Sequence, residues 1–131
     1  NFQLGKIKPN FVNSIDKFAD ENKSMNVEEM QKIYFNTHFA PCPSGFFHPE
    51  SYRIYEALQC GTIPIVESVY SYFDSIYPNN PMIKIKKWSE AKEIIDQWSH
   101  DKISLKRKAC FSWWNQYLTD HKNFVYKKIM G

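Results

Sequence analysis

The sequence predicts one α/β domain, an open parallel sheet with helices on both faces, ending in a long C-terminal helix. Three observations lead to this prediction. Short apolar, β-branched runs alternate along the chain with stretches of helical periodicity, as in sheets whose parallel strands are joined by helices. A length of 131 residues suits one ordinary domain and not two. The hydrophobic content of 43% and aromatic content of 17% are enough for a packed core.

The first half of the chain predicts two strands separated by two helices. Residues 2–4 are typical of a short strand that runs into Gly5. From Phe11 onward, apolar residues recur at helical spacing. Asn26 followed by Glu29 is a variant of the capping box, which begins a second helix. The predicted elements are a strand at 2–4, helices beginning at 11 and 27, and a strand at 37–42.

The second half continues the alternation of helices and strands. Gly61 follows a helical stretch at the position of a C-terminal cap. The run after it, 62–66, is apolar and β-branched, which is typical of a buried parallel strand. The predicted elements are a helix at 51–60, a strand at 62–66, a helical turn within 68–77, a strand at 82–86, a helix at 88–98, and one long helix or two over 103–129.

The net charge of +3 is concentrated in the tail, where residues 101–131 carry seven basic and two acidic side chains. A basic, aromatic tail allows one alternative function, a nucleic-acid-binding module whose cations follow the phosphates. A solvated helix face is favoured over that alternative, because no RNA-binding motif accompanies the charges. We therefore expect no nucleic-acid partner. The basic residues are Lys102, Lys106, Arg107, Lys108, Lys122, Lys127 and Lys128.

The three cysteines, Cys42, Cys60 and Cys110, lie far apart and without zinc-ligand spacing. They predict reduced, mostly buried thiols, which favour a cytoplasmic location. No run approaches the roughly 20 apolar residues of a membrane span, and no signal peptide is visible. Because the chain begins at Asn1 rather than Met, we expect it to be a processed or excised piece.

The loop at 43–50 and the helix after it form the strongest candidate site. Ligands of open α/β sheets bind beyond the carboxyl ends of the strands, where this loop begins. Ser44 and Gly45 are small enough for a ligand to approach the backbone, and a helix start attracts phosphate. Arg53 in the first turn can add a bidentate contact, and Glu56, one turn later, can accept sugar hydroxyls. This pattern suits a nucleoside diphosphate.

A plainer interpretation of the same helix is a ladder of ion pairs through Glu50, Arg53 and Glu56 on a solvated face. Tyr52 and Tyr55 are likewise favoured as packing residues over platforms for a base. The sequence contains no catalytic Ser-His-Asp order, no P-loop and no G-x-G-x-x-G motif. It also has no Asp-x-Asp pair to hold Mg²⁺ at a diphosphate, so no metal ligands are assigned.

Residues 38–67, HFAPCPSGFFHPESYRIYEALQCGTIPIVE, carry a recognisable signature. The strand ending in Cys-Pro-x-Gly, then Ser-x-Arg-x-x-Glu-Ala-Leu, then Gly-x-x-Pro-Ile resembles exostosin-like and related GT-B glycosyltransferases. The opening FQLGKIK is similar to the first strand and glycine turn of the same domain. Many relatives have an arginine after that turn, where this chain offers Lys6 or Lys8.

The resemblance implies that residues 1–131 are one Rossmann-like donor domain, half of a two-domain enzyme. Such an enzyme transfers sugar from a UDP- or GDP-sugar to a glycan or other hydroxyl acceptor, inverting the anomeric centre without metal or prosthetic group. Glu56 would hold the ribose, and Arg53 would stabilise the leaving diphosphate as the catalytic contribution of this chain. The candidate donor-binding residues are Gly5, Lys6, Ser44, Gly45, Ser51, Tyr52, Arg53 and Glu56.

The resemblance also implies an N-terminal acceptor domain, absent from this chain, that supplies the catalytic base. The final helix would cross back to that domain. Trp113 and Trp114 are adjacent, so we expect one of them to be an exposed anchor for it. Eukaryotic exostosin relatives act in the Golgi lumen, which is the alternative location. The remaining alternative function is a non-catalytic, Rossmann-like interaction domain that binds no nucleotide.

Overall fold

The computed structural model describes residues 25–45, 47–68 and 70–131. The predictions of a strand at 2–4 and a helix from Phe11, with candidate residues Gly5 and Lys6, lie outside these ranges. The elements are α1 (Val27–Phe35), β1 (Phe39–Cys42), α2 (Tyr52–Gln59), β2 (Ile63–Glu67), α3 (Tyr72–Ile76), β3 (Ile83–Ile85), α4 (Trp88–Gln97) and α5 (His100–Met130).

The three strands form one parallel sheet in the order β1-β2-β3. Cys42 pairs with Val66, and Glu67 pairs with Ile85, so the three strands end within one residue of the same level. The mixed α/β class, the parallel sheet and the three strands predicted beyond residue 36 are confirmed. Because all strands run the same way, the loops after β1, β2 and β3 meet at one edge, where ligands of such sheets bind.

The central strand and α2 form most of the core. In β2, Ile63, Ile65 and Val66 are fully buried, which explains why this strand reads as a continuous apolar run. The inward face of α2 contributes Ile54 and Leu58, both also buried. The start of α2 is thereby held rigidly against the carboxyl end of β1.

Two predicted helix caps are present. The Asn26 side chain accepts a 2.9 Å hydrogen bond from the Glu29 N–H and begins α1. At the end of α2, Gly61 has a φ of +66°. The Gly61 N–H donates to the Leu58 carbonyl at 3.1 Å, and the Thr62 N–H donates to the Ala57 carbonyl at 2.9 Å. This pair of bonds is a Schellman motif, which requires the left-handed conformation that glycine adopts without cost.

We expect Gly61→Ala to lower the free energy of unfolding by about 1–2 kcal/mol. An added Cβ would be strained at a φ of +66° and would lie 3.4 Å from the Arg107 carbonyl oxygen of α5. Urea unfolding followed by circular dichroism measures the loss. Gln59→Ala, at an exposed position of the same helix, is the control and is expected to change stability by less than about 0.5 kcal/mol. Equal stabilities of the two variants would contradict the prediction.

The C-terminal stretch is one helix, α5, of 31 residues, not two. At 1.5 Å per residue it is roughly 46 Å long. Its first half packs on the domain through the buried residues Ile103 and Cys110, whereas every residue of 121–130 is exposed. The expectation that Trp113 or Trp114 is an exposed anchor is wrong. Both are half-buried against the core, because Trp114 packs on Tyr55 and Trp113 packs on Tyr77.

Arg107 of α5 holds the ends of two helices. Its Nε donates to the Gly61 carbonyl and its Nη2 to the Phe35 carbonyl, each at 2.7 Å. Phe35 ends α1, and Gly61 follows α2, so one guanidinium satisfies carbonyls that a helix terminus leaves unpaired. A positive charge is also favourable at these ends of the helix dipoles. Grouping Arg107 with the free cations of the tail is therefore wrong, since its donors are engaged within the fold.

Candidate functional site

The candidate site lies where the loop after β1 enters α2. Ser51 is the N-cap residue in an extended conformation, but its side chain makes no capping hydrogen bond. The Ser51 Oγ is buried and has no hydrogen-bond partner in the part of the chain that the structure describes. The Ile54 N–H of the first turn donates to the Ser51 carbonyl at 3.1 Å. The N–H groups of Tyr52 and Arg53 are not satisfied by the cap side chain and can serve an anion.

Ser44 and Gly45 lie exposed in the loop that precedes this helix. Gly45 packs closely on the loop itself: a Cβ at this position would lie 3.0 Å from the Glu50 carbonyl oxygen and 3.1 Å from that of His48. The glycine is therefore required for the loop to fold back on itself. The close approach of a ligand to the Gly45 backbone stays a prediction.

Arg53 is exposed in the first turn of α2. No ion pair joins it to Glu50 or Glu56 among the described residues, so the predicted ladder of ion pairs is not formed. Its charge nevertheless acts on the end of β1. Burial raises the pKa of the Cys42 thiol to about 12, Arg53 lowers it and Glu56 raises it. Arg53, Glu56 and the carboxyl end of β1 thus lie within electrostatic reach of one another.

Glu56 is half-buried, and its Oε2 accepts a 3.2 Å hydrogen bond from the Tyr34 hydroxyl of α1. Burial, followed by the nearby Glu56 charge, raises the pKa of Tyr34, so this phenol stays protonated and remains a donor. Within the described ranges the other oxygen, Oε1, accepts no hydrogen bond. The carboxylate is thus oriented from one side and open on the other, as a ligand for sugar hydroxyls would need to be.

Glu50 occupies a site that no sequence pattern indicated. Its carboxylate accepts hydrogen bonds from the hydroxyls of Tyr55 at 2.6 Å, Tyr72 at 2.8 Å and Tyr77 at 3.1 Å. The Tyr55 and Tyr77 hydroxyl oxygens are also 2.6 Å apart. Burial raises the pKa of Glu50, but the three hydrogen bonds and the nearby His48 charge together hold that pKa below its usual value. We call these four residues the Glu50 cluster.

Aromatic side chains of α5 pack on two tyrosines of the Glu50 cluster. Trp114 lies against Tyr55 with ring centroids 5.6 Å apart, and Tyr117 lies at the same distance from Tyr77. The Trp113 Nε1 donates to the Pro78 carbonyl at 3.1 Å. Trp113 therefore ties the β2–β3 connection to the C-terminal helix, and Trp114 packs α2 against the same helix.

The two tyrosines of α2 have different surroundings. Tyr55 packs within the Glu50 cluster, which confirms its predicted packing role. Tyr52 is 85% exposed, so the same prediction is wrong for Tyr52, whose position at the helix start turns its ring toward solvent. Phe47 at 94% exposure and Tyr70 at 83% lie in the loops after β1 and β2. Among the described residues, this edge of the sheet therefore presents the exposed aromatic rings of Phe47, Tyr52 and Tyr70.

Comparison with known proteins places the chain in a family. Residues 5–130 match the family described as the RXYLT1 C-terminal domain. The chain belongs to this family. The match covers almost the whole chain, including the loop after β1, α2 and all of α5.

Two curated relatives of this chain are xylosyltransferases by name. Ribitol-5-phosphate xylosyltransferase 1 of Mus musculus is 26% identical over 98% of this chain and 32% of its own length. The Homo sapiens protein of the same name is 25% identical over 90% of this chain and 30% of its own length. The chain thus spans about a third of these relatives. No solved structure gives a significant match.

Two further observations on the described residues concern metal ions and membranes. Over 25–45, 47–68 and 70–131, no three His, Cys, Asp or Glu side chains are grouped so that they could hold a metal ion. None of the helices in those ranges is both long and apolar enough to cross a membrane. All three cysteines are free and buried, as their spacing predicted.

Proposed function

We propose that residues 1–131 are the donor domain of a two-domain, exostosin-like GT-B glycosyltransferase. The domain binds a nucleoside-diphosphate sugar, a UDP- or GDP-sugar, whose sugar is transferred to a glycan or other hydroxyl acceptor. One observation carries the proposal. The open start of α2, the unpaired Arg53 and the oriented Glu56 lie together at the carboxyl edge of a parallel sheet. Membership of a family whose named relatives are xylosyltransferases supports it.

In this proposal, the start of α2 and Arg53 bind the diphosphate. A departing nucleoside diphosphate gains negative charge in the transition state, and preorganised donors are most effective where charge develops. The first-turn N–H groups and the Arg53 guanidinium supply such donors. The Ser51 hydroxyl, which is buried and has no hydrogen-bond partner among the described residues, belongs to the N-cap residue beside these donors. Because the sequence has no Asp-x-Asp pair, we propose that these groups neutralise the diphosphate without a metal, with inversion at the sugar.

Glu56 binds the ribose in this proposal. A carboxylate can accept two hydrogen bonds from vicinal hydroxyls. Tyr34 holds one oxygen of Glu56 from the side of α1, which leaves the second oxygen for a ligand. The spacing of one helical turn between Arg53 and Glu56 agrees with a ligand that carries phosphate at one end and a sugar next to it.

The rest of the longer enzyme supplies the acceptor site and the catalytic base. The exposed end of α5 is the part of this chain that we propose to contact that acceptor domain. Its ten residues at 121–130 are all exposed, yet they include large apolar side chains, which a free helix end does not need. These side chains are Phe124, Val125, Tyr126, Ile129 and Met130.

Titration with UDP, GDP and their sugars, followed by two-dimensional NMR, tests the donor site. We expect one nucleotide to give saturable shifts at residues 44–56. Glu56→Ala is expected to weaken that binding by about 1.5–3 kcal/mol, the value of a hydrogen bond to a charged group. Glu93→Ala, which removes an exposed carboxylate from α4, is the control and should bind like the parent. Unchanged affinity in Glu56→Ala would show that Glu56 is not a ligand, and no shifts with any nucleotide would count against the donor site.

A further inference from the structure

We propose that Glu50 is a positioning residue of the donor site. Its carboxylate ties the loop before α2 to the β2–β3 connection and so sets where Ser51 and Arg53 stand relative to the bound diphosphate. The inference rests on the proposed function for the identity of the ligand. It rests on the hydrogen bonds of Glu50 for the mechanism.

The position of Glu50 gives it direct leverage over the helix start. Glu50 immediately precedes the N-cap Ser51, and Arg53 lies two residues after Ser51. An acidic side chain here would ordinarily interact favourably with the positive end of the helix dipole. The Glu50 carboxylate instead accepts from three tyrosine hydroxyls, so it does not occupy the N–H groups of Tyr52 and Arg53 in the first turn. The arrangement keeps a negative charge bonded elsewhere, beside a site that we propose binds an anion.

The three donors come from two separate segments. Tyr55 belongs to α2 itself, whereas Tyr72 begins α3 and Tyr77 follows it. One carboxylate therefore joins the two loops that border the carboxyl ends of β1 and β2. An ionised carboxylate offers about four acceptor positions, and three are used here. Bonds to a charged acceptor are stronger than neutral ones, which makes this junction suited to fixing loop geometry.

The Glu50 cluster is itself held from behind. Trp114 packs on Tyr55, and Trp113 and Tyr117 pack on Tyr77, so α5 limits the movement of both tyrosines. The ring of Tyr72 packs at the surface against Phe73, with centroids 5.2 Å apart. Removing its hydroxyl while keeping the ring is therefore the mildest way to weaken the cluster.

Three variants of the full chain test the inference, each read by nucleotide affinity, unfolding free energy and amide hydrogen exchange. Glu50→Gln keeps one acceptor oxygen but loses the charge, and Tyr72→Phe loses one donor. Asp74→Asn is the matched control. Asp74 lies on the same β2–β3 connection, and this variant breaks its ion pair with Lys84 of β3 without removing a partner of Glu50. We expect UDP or GDP affinity to fall about tenfold in Glu50→Gln and about threefold in Tyr72→Phe, but less than twofold in the control.

Amide exchange separates positioning from general destabilisation. In the absence of nucleotide, Glu50→Gln is expected to accelerate exchange at 47–54 while leaving β3 and α4 unchanged. Unchanged exchange in that segment would overturn the inference, as would an affinity loss no larger than that of Asp74→Asn. If the parent chain binds neither UDP nor GDP, the proposed function fails. The exchange pattern then still decides whether Glu50 orders the start of α2.

Discussion

Arg53→Ala is expected to weaken binding of the proposed donor nucleotide about 10- to 100-fold while leaving the fold intact. The affinity falls because a guanidinium at the start of α2 makes charge-assisted hydrogen bonds to a diphosphate, worth about 1.5–3 kcal/mol. The fold survives because Arg53 is exposed and forms no ion pair with the described residues around it. Isothermal titration with UDP and GDP measures the affinity, and thermal unfolding measures the stability.

Two further variants define the role of the Arg53 guanidinium. Arg53→Lys keeps the positive charge but not the planar fork, so we expect it to restore only part of the affinity. Lys108→Ala removes an exposed positive charge from α5, far from the start of α2, and is expected to bind like the parent. Equal losses in Arg53→Ala and Lys108→Ala would mean that net charge attracts the nucleotide and that Arg53 does not bind it directly.

Arg107→Met is expected to lower the free energy of unfolding by about 3 kcal/mol with little direct effect on the donor site. The methionine keeps an apolar stem of similar reach but donates nothing to the Phe35 and Gly61 carbonyls. Those two oxygens then lose 2.7 Å hydrogen bonds, and the end of α1 is no longer tied to α5. Urea unfolding of the parent and the variant measures the loss.

The controls for Arg107 separate its hydrogen bonds from its charge. Arg107→Lys can reach one carbonyl but not both in the same geometry, so an intermediate stability is expected. Lys108→Met removes the neighbouring charge from an exposed position and should cost less than about 0.5 kcal/mol. A stability of Arg107→Met that matches Lys108→Met would show that the two hydrogen bonds contribute little.

The local pattern of the sequence was sufficient for most of the architecture. Parallel strands at 62–66 and 82–86 were predicted to within a residue or two, because alternation and apolar runs are short-range signals. The Asn26 cap and the Gly61 turn were predicted for the same reason, since each depends on residues within one turn. The number of C-terminal helices stayed open, because a continuous period over 103–129 fits one helix or two equally well.

The candidate site also has features that the sequence predicted and features that it did not. The position of Arg53 one turn before Glu56 follows from helical spacing, and so does the location of both beside the end of β1. The ion-pair ladder was wrong because Glu50 precedes the helix and bonds to tyrosines 22 and 27 residues further along. The exposure of Tyr52 could not be predicted either. Helical spacing shows that Tyr52 lies on the helix, but it does not show which face of the helix is buried.

The sequence by itself determined the α/β class, the parallel strands, the helix caps and the spacing of Arg53 and Glu56 along α2. Each depends on residues that are neighbours along the chain. Only the tertiary structure decided that Glu50 collects three tyrosine hydroxyls, that Tyr34 orients Glu56, and that Arg107 bonds to carbonyls 46 and 72 residues away. Such contacts depend on how the helices pack on the sheet. Packing brings together polar groups that are far apart along the chain, and such contacts leave no periodic pattern in the sequence.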